Sequence, residues 1–178
     1  MPIGEPEKAL LVADTSALVS LNIGLVLEKA LEIFVIYVPQ EVVNELEIHA
    51  HLSDEAAHVL NLVRADRIKA LGVQDAKRVQ ALVAENTQID YGEAEAIVLA
   101  EERSINLIIT DDFEAFFQMR RATKVRVDLS PYLIAALVVT GKLSVEEAEA
   151  SFERIASKRH WFDARIYKHA KAYLDVLR

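Results

Sequence analysis

Cysteine is absent and glycine is scarce, and both features exclude kinds of chemistry. The 178-residue chain has no Cys and only 5 Gly. Without Cys it cannot form disulfides, thiolate zinc sites or a cysteine nucleophile. Its few glycines assemble neither a G-x-G-x-x-G fingerprint nor a Walker A loop, which argues against a nucleotide-cofactor role.

Long apolar runs are also missing. The most apolar late stretch, residues 132–139, is far shorter than the ~20 residues needed to cross a bilayer. The N-terminus carries acids and Lys8 before a short apolar run, unlike a secretory signal. Because 52% of the residues are hydrophobic, the chain can bury a full core. We therefore expect one soluble, cytoplasmic domain over residues 1–178 that does not enter membranes.

Positive charge is scarce in the first part of the chain. Up to Ala115 there are 21 acidic and 8 basic residues, a net charge of −13, whereas the remainder has 7 acidic and 12 basic residues, a net charge of +5. The total of −8 by itself argues against a nucleic-acid partner, because nucleic-acid binding relies on Lys and Arg. The split instead points to an anionic partner or a site loaded with cations.

Short apolar runs alternate with helical patterns up to about residue 128. Such runs are typical of strands buried on both faces of a parallel sheet. We predict strands at Ala9–Ala13, Phe34–Val38, Asn106–Thr110 and Val125–Leu129, with Ile68–Leu71 as a candidate fifth. The predicted fold is a three-layer α/β/α domain with a mostly parallel central sheet (core about 9–128) and a helical C-terminal extension (about 130–178).

Turn and cap signals place the helices. Pro39 suits the first turn of a helix over Gln40–His49, and Ser53 or Asp54 can cap the next one. Later helices are predicted at Asp75–Glu85, Gly92–Arg103, Phe113–Arg121, Pro131–Thr140 and Asp163–Leu177. A capping box at Ser144–Glu147 marks the start of one more helix between the last two.

Acidic residues follow the predicted strands, at the edge where open parallel sheets form their sites. Asp14 ends the first strand, and Asp111 and Asp112 follow the strand that ends at Thr110. Glu45 and Glu93 are assigned to helix starts. Carboxylates gathered without Lys or Arg repel one another, and Mg²⁺ or Mn²⁺ is the usual remedy.

Each of these acids also has an ordinary structural interpretation. Asp14, Asp111 and Asp112 can cap helices, and Glu93 can be the capping-box partner of Asp90. Glu45 can belong to a solvated acidic face. The convergence of all of them on one edge is what favours a functional site.

Histidines and basic residues carry less information. The histidines lack the one-turn spacing of a zinc helix, so we expect them at the surface or with their hydrogen bonds satisfied inside the fold. Trp161 and Phe162 are expected in the C-terminal core or a dimer contact. Six basic residues are ordinarily expected on solvated faces, and phosphate contact is the alternative: Arg120, Arg121, Lys124, Arg126, Lys158 and Arg159.

Four motifs occur in a recognisable order: LVADTS from Leu11, VPQEVVNEL from Val38, GEAEAIVLA from Gly92 and ITDD from Ile109. Together they resemble the PIN-domain nucleases over about residues 9–128. The Gly-Glu-x-Glu-Ala-Ile form, followed by a helical tail, looks like the prokaryotic branch related to VapC-type toxins.

The resemblance implies a set of site residues and an activity. Asp14, Glu45 and Glu93 would be core metal-binding acids, and Asp112 or its neighbour Asp111 the fourth, with Thr15 or Ser16 as a supporting hydroxyl. The implied activity is Mg²⁺- or Mn²⁺-dependent hydrolysis of RNA by an endoribonuclease, leaving 5′-phosphate and 3′-hydroxyl ends. The enzyme would be a toxin of a toxin–antitoxin pair or an RNA-processing enzyme.

Two other functions and two kinds of partner are considered. A non-catalytic PIN-fold module that binds RNA or protein remains open. A small-molecule phosphatase is disfavoured because Ser16 stands where a second Asp would be needed. An antitoxin protein is a candidate partner, and the apolar segment at residues 131–139 together with the aromatic tail suggests a homodimer.

Overall fold

A computed structural model describes residues 7–178 of the chain. Within this range the strands are β1 (Ala9–Ala13), β2 (Phe34–Pro39), β3 (Lys69–Leu71), β4 (Leu107–Ile109) and β5 (Arg126–Asp128). All five lie where the sequence predicts them, including the candidate fifth. β4 and β5 are each shorter than predicted by one residue at either end.

The strands form one sheet in the order β3-β2-β1-β4-β5, and every pairing is parallel. The prediction of a parallel sheet is therefore confirmed. From β1 the chain builds outward through β2 and β3 on one side, then crosses to β4 and β5 on the other. The order reverses between β1 and β4, and such a switch point opens a crevice at the carboxyl ends of the strands.

Ten helices flank the sheet in residues 7–178, in the predicted three-layer α/β/α arrangement. They are α1 (Thr15–Ile23), α2 (Leu27–Ile33), α3 (Gln40–His49), α4 (Asp54–Arg64), α5 (Ala76–Glu85), α6 (Tyr91–Arg103), α7 (Phe113–Ala122), α8 (Ser130–Val139), α9 (Val145–Lys158) and α10 (Arg165–Asp175).

The helices differ from the sequence prediction in three respects. Pro39 is the N-cap of α3 rather than a member of its first turn, because β2 continues up to it. Glu45 lies in the second turn of α3, not at its start, although the helix has its predicted range. No range was predicted for α1 or α2. In α1 polar and apolar residues are mixed around the helix, so no separate polar face marks it in the sequence.

The C-terminal helices share the core of the sheet domain. Leu133, Ile134 and Leu137 of α8 are buried, and α8 packs against α2, α9 and α10. The apolar surface that suggested a homodimer is thus largely covered by the chain itself. No helix within residues 7–178 is both long and apolar enough to span a bilayer.

Candidate active site

The switch point of the sheet carries the candidate site. Asp14 directly follows β1, and its backbone N–H donates to the carbonyl of Ile109 at the end of β4, at 3.1 Å. Asp111 and Asp112 follow that same strand. The parallel pairing of β1 and β4 therefore brings the first and last sequence motifs together, as the strand-end argument predicts.

A cavity of about 400 Å³ opens at this point. Five carboxylates line it: Asp14, Glu45, Asp90, Glu93 and Asp112. Hydroxyls and two basic side chains complete the lining that matters for chemistry: Thr15, Ser16, Ser53, His49 and Arg159. Four of the five predicted site residues thus share one cavity, and Asp111 is the exception.

Asp14 is held rigidly at the base of the cavity. Its Oδ1 accepts from Ser16 Oγ at 2.8 Å and from the backbone N–H of Ala17 at 2.9 Å, while Oδ2 accepts from Thr110 Oγ1. Burial raises the pKa of Asp14 to about 7, although these hydrogen bonds pull the other way. The N-cap role predicted for Asp14 and its place in the cavity are therefore compatible.

Glu45 reaches the cavity from α3. Its Oε2 accepts a hydrogen bond from Thr15 Oγ1, which ties α3 to the start of α1. Its Oε1 lies beside Gly92, where a Cβ atom would come within 2.9 Å of it. Partial burial raises the pKa of Glu45. The absence of a side chain at residue 92 gives this carboxylate its room.

Glu93 is the most perturbed acid. It forms the predicted capping box with Asp90: its Oε2 accepts from the backbone N–H of Asp90 at 2.8 Å, and its own N–H donates to Asp90 Oδ1 at 2.9 Å. Burial raises the pKa of Glu93 to about 9, and the nearby charges of Asp90, Asp14 and Asp112 add to the effect. Ionising Glu93 without a cation is therefore costly.

Asp111 and Asp112 point to different places. Asp111 is buried, and its carboxylate accepts from the N–H and Oγ of Ser130 at 2.8 and 2.7 Å, at the start of α8. Asp112 lines the cavity, while its Oδ1 accepts from the N–H groups of Glu114 and Ala115 at the start of α7. Of the two, only Asp112 is placed to meet a ligand in the cavity.

The donor set suits a hard cation. Glu45, Glu93 and Asp112 each use one carboxylate oxygen in hydrogen bonds to residues of the described chain and leave the other oxygen without one. Open carboxylate oxygens are the ligands that Mg²⁺ and Mn²⁺ prefer. Within residues 7–178, however, no three His, Asp or Glu side chains are gathered closely enough to form a preformed metal cluster. Binding would require these side chains to draw together.

A known protein family matches most of the chain. The family model DUF3368, described as a PIN domain, matches residues 10–175. The chain belongs to the PIN-domain family. PIN domains are generally nucleases, and the match takes in the C-terminal helices as well as the sheet. No curated protein and no solved structure matches the chain.

Several lining residues of this PIN domain escaped sequence reasoning. Asp90 was predicted only as a helix cap, and it lines the cavity. His49 is exposed, as one of its two predicted alternatives has it, but it also lines the cavity, which was not predicted. Arg159 was assigned to ordinary solvated faces, with phosphate contact as the alternative, because nothing in the local sequence links it to Asp14. Trp161 is buried beside Phe152, as predicted for the C-terminal core, whereas Phe162 is half exposed.

Proposed function

We propose that this PIN domain is a Mg²⁺- or Mn²⁺-dependent endoribonuclease that hydrolyses RNA phosphodiester bonds. One observation carries the proposal: acids from four separate motifs, Asp14, Glu45, Glu93 and Asp112, line a single cavity at the switch point of the sheet. Each is oriented by hydrogen bonds, and a bound ion would draw the four carboxylates closer together.

The chain's own residues have distinct tasks in this proposal. Glu45, Glu93 and Asp112 would hold the metal ions through their open oxygens. Asp14, whose two carboxylate oxygens both accept hydrogen bonds, would share one of them with the ion. A bound divalent ion supplies positive charge that makes water a better nucleophile and stabilises the leaving oxygen. Ser16 and Thr110 keep Asp14 oriented, and Thr15 does the same for Glu45. A carboxylate oxygen in the cavity accepts the proton of the attacking water.

The direct test is cleavage of labelled single-stranded RNA by the purified protein with Mn²⁺. We expect wild-type cleavage that leaves 5′-phosphate and 3′-hydroxyl ends, and a loss of at least about a hundredfold in Asp14→Asn, because the rigid central ligand loses its charge. Thr140→Ala, on the exposed end of α8, serves as a folded control with full activity.

Two results would contradict the proposal. One is equal cleavage by wild type and Asp14→Asn, which would indicate a contaminating nuclease. The other is absence of wild-type cleavage across several structured and unstructured RNAs at a range of Mn²⁺ concentrations.

A non-catalytic module that binds RNA or protein is the second candidate. The observation that favours it is the lack of a preformed metal cluster in residues 7–178, with Glu45 and Glu93 engaged by Thr15 and the Asp90 N–H. Mn²⁺ distinguishes the two, because a ligand that binds the folded state raises Tm. A Tm that does not respond to Mn²⁺ supports the binding module.

The cellular role and the oligomeric state of the protein are also proposals. A role as the toxin of a toxin–antitoxin pair predicts that a small antitoxin protein covers the acidic cavity and blocks cleavage. An RNA-processing role predicts no such inhibitor. The apolar surface of α8 no longer supports a homodimer, because α8 packs within the chain. Light scattering on the purified protein tests the oligomeric state directly.

A further inference from the structure

One strong cation enters the acidic cavity from a distant part of the sequence. Arg159 is the only Lys or Arg within residues 7–178 that lines the cavity shared by Asp14, Glu45 and Glu93. It comes from the end of α9, in the C-terminal helices. Its neighbour Lys158 faces away from this cavity and pairs with Glu55 at 3.2 Å.

The position of Arg159 is fixed by the core. Its backbone N–H donates to Ile155 O at 2.8 Å, closing the last turn of α9. His160 then adopts a positive φ of 56°, and the N–H of Trp161 returns to Ala156 O at 2.8 Å. Because Trp161 is buried against Phe152, this reversal is anchored, and the Arg159 side chain leaves from a defined point.

Arg159 has unused hydrogen-bonding capacity. No carboxylate of residues 7–178 lies within 4.0 Å of its guanidinium, and the guanidinium donates no hydrogen bond within that range. Arg126 and Arg165, by contrast, pair with Asp128 and Glu114. A half-buried guanidinium that faces carboxylates yet pairs with none keeps its five N–H donors for a ligand.

We propose that Arg159 binds a phosphate of the RNA strand beside the cleavage point. The inference rests on the proposed endoribonuclease function, which it deepens by naming how the strand is held. A guanidinium binds phosphate oxygens in a bidentate manner, and its charge offsets the repulsion that the cavity acids exert on a polyanion. A merely structural role, in which Arg159 balances the carboxylates, makes different predictions.

The experiment compares Arg159→Gln with Arg154→Gln, an exposed arginine on the same helix that lies outside the acidic cavity. Binding of fluorescently labelled single-stranded RNA is measured by anisotropy in Ca²⁺, with a gel to verify that the RNA stays intact. We expect Arg159→Gln to weaken binding about tenfold, the usual effect of one charged hydrogen-bonded contact. The slope of log affinity against log salt should fall by about 0.7.

Three further measurements complete the design. Arg159→Lys, which keeps the charge but loses the bidentate geometry, should bind with intermediate affinity. In Mn²⁺-dependent cleavage, Arg159→Gln should raise KM by a similar factor. The Mn²⁺-induced rise in Tm should be at least as large in Arg159→Gln as in wild type, because a cation is removed from the cavity.

The outcomes separate this inference from the proposed function. RNA affinity of Arg159→Gln within twofold of wild type, or an equal loss in Arg154→Gln, overturns the inference. Loss of the Mn²⁺ response in Arg159→Gln also overturns it, because Arg159 would then act on the carboxylates. A wild type that binds RNA through Arg159 without cleaving it refutes the nuclease and leaves the phosphate site standing. A wild type that binds no RNA refutes both.

Discussion

Gly92 controls the space available to Glu45. A Cβ at this position would lie 2.9 Å from Glu45 Oε1, the end of a flexible side chain that can move aside at little cost. We therefore expect Gly92→Ala to fold normally, with a gain of up to about 1 kcal/mol in unfolding free energy from helix propensity. Mn²⁺ affinity, measured by calorimetry, should fall about tenfold because Glu45 is displaced.

Gly72→Ala is the matched control, since a Cβ there contacts nothing within 4 Å. It should leave Mn²⁺ affinity unchanged. Unchanged affinity in Gly92→Ala as well would show that Glu45 is not a metal ligand.

Glu93 makes the metal-free protein sensitive to pH. The raised pKa of about 9, against an ordinary 4.5, means that the folded state retains this proton over a pH range in which the unfolded chain loses it. The contribution of protonated Glu93 to the free energy of unfolding is therefore fully present below pH 4.5 and is lost as pH rises toward about 9. In EDTA at pH 8, Glu93→Gln should exceed wild type by at least about 3 °C in Tm, the effect of roughly 1 kcal/mol on a domain of this size.

The difference in Tm between Glu93→Gln and wild type should shrink toward pH 5, as scanning calorimetry can show. Glu85→Gln, an exposed acid on α5, controls for the general effect of removing one charge. A difference that is constant across this range would mean that Glu93 ionises normally in the folded protein.

At the scale of elements, two adjacent acids begin two different helices. Asp111 holds the start of α8 through Ser130, whereas Asp112 caps α7 and lines the cavity. Asp111→Ala leaves both buried Ser130 donors unsatisfied, so unfolding free energy from denaturant titration should fall by about 2–4 kcal/mol. Asp112→Asn keeps a good cap but loses the charge, so Tm should hold while the response to Mn²⁺ weakens.

The role of Asp111 is contradicted if Asp111→Ala remains as stable as wild type. The role of Asp112 is contradicted if the Tm of Asp112→Asn responds to Mn²⁺ like that of wild type. The second result would remove Asp112 from the set of metal ligands.

The same pair shows how far the sequence can be taken. Apolar runs and cap motifs identify all five strands and the capping boxes at Asp90 and Ser144, because these signals are local. Choosing between Asp111 and Asp112 depends on where Ser130 lies, which only the packing of α8 determines. The sequence offers Arg159 as a candidate phosphate contact but does not place it beside Asp14, since that relation exists only through the contact of α9 with α1.

At the scale of the whole molecule, the charge split acquires a spatial meaning. Carboxylates from the acidic part line the cavity, and one cation from the basic part joins them there. Other basic residues of that part are engaged elsewhere: Arg126 with Asp128, Lys158 with Glu55, and Arg120 over the ring of Phe116. The C-terminal helices thus contribute one unpaired arginine to the cavity.

This arrangement predicts that the sheet and the C-terminal helices unfold together. Trp161, the single tryptophan, is buried among the C-terminal helices and reports on them by fluorescence, whereas far-UV circular dichroism reports on the whole chain. Because α9 packs against α1 and α8 against α2, the two probes should give coincident denaturation curves. Mn²⁺ bound at the strand ends should then shift both curves equally, although Trp161 lies outside the carboxylate set.

A fluorescence transition that comes earlier and does not shift with Mn²⁺ would show that the helices unfold separately from the sheet. Arg159 would then be poorly placed to hold a strand over the cavity.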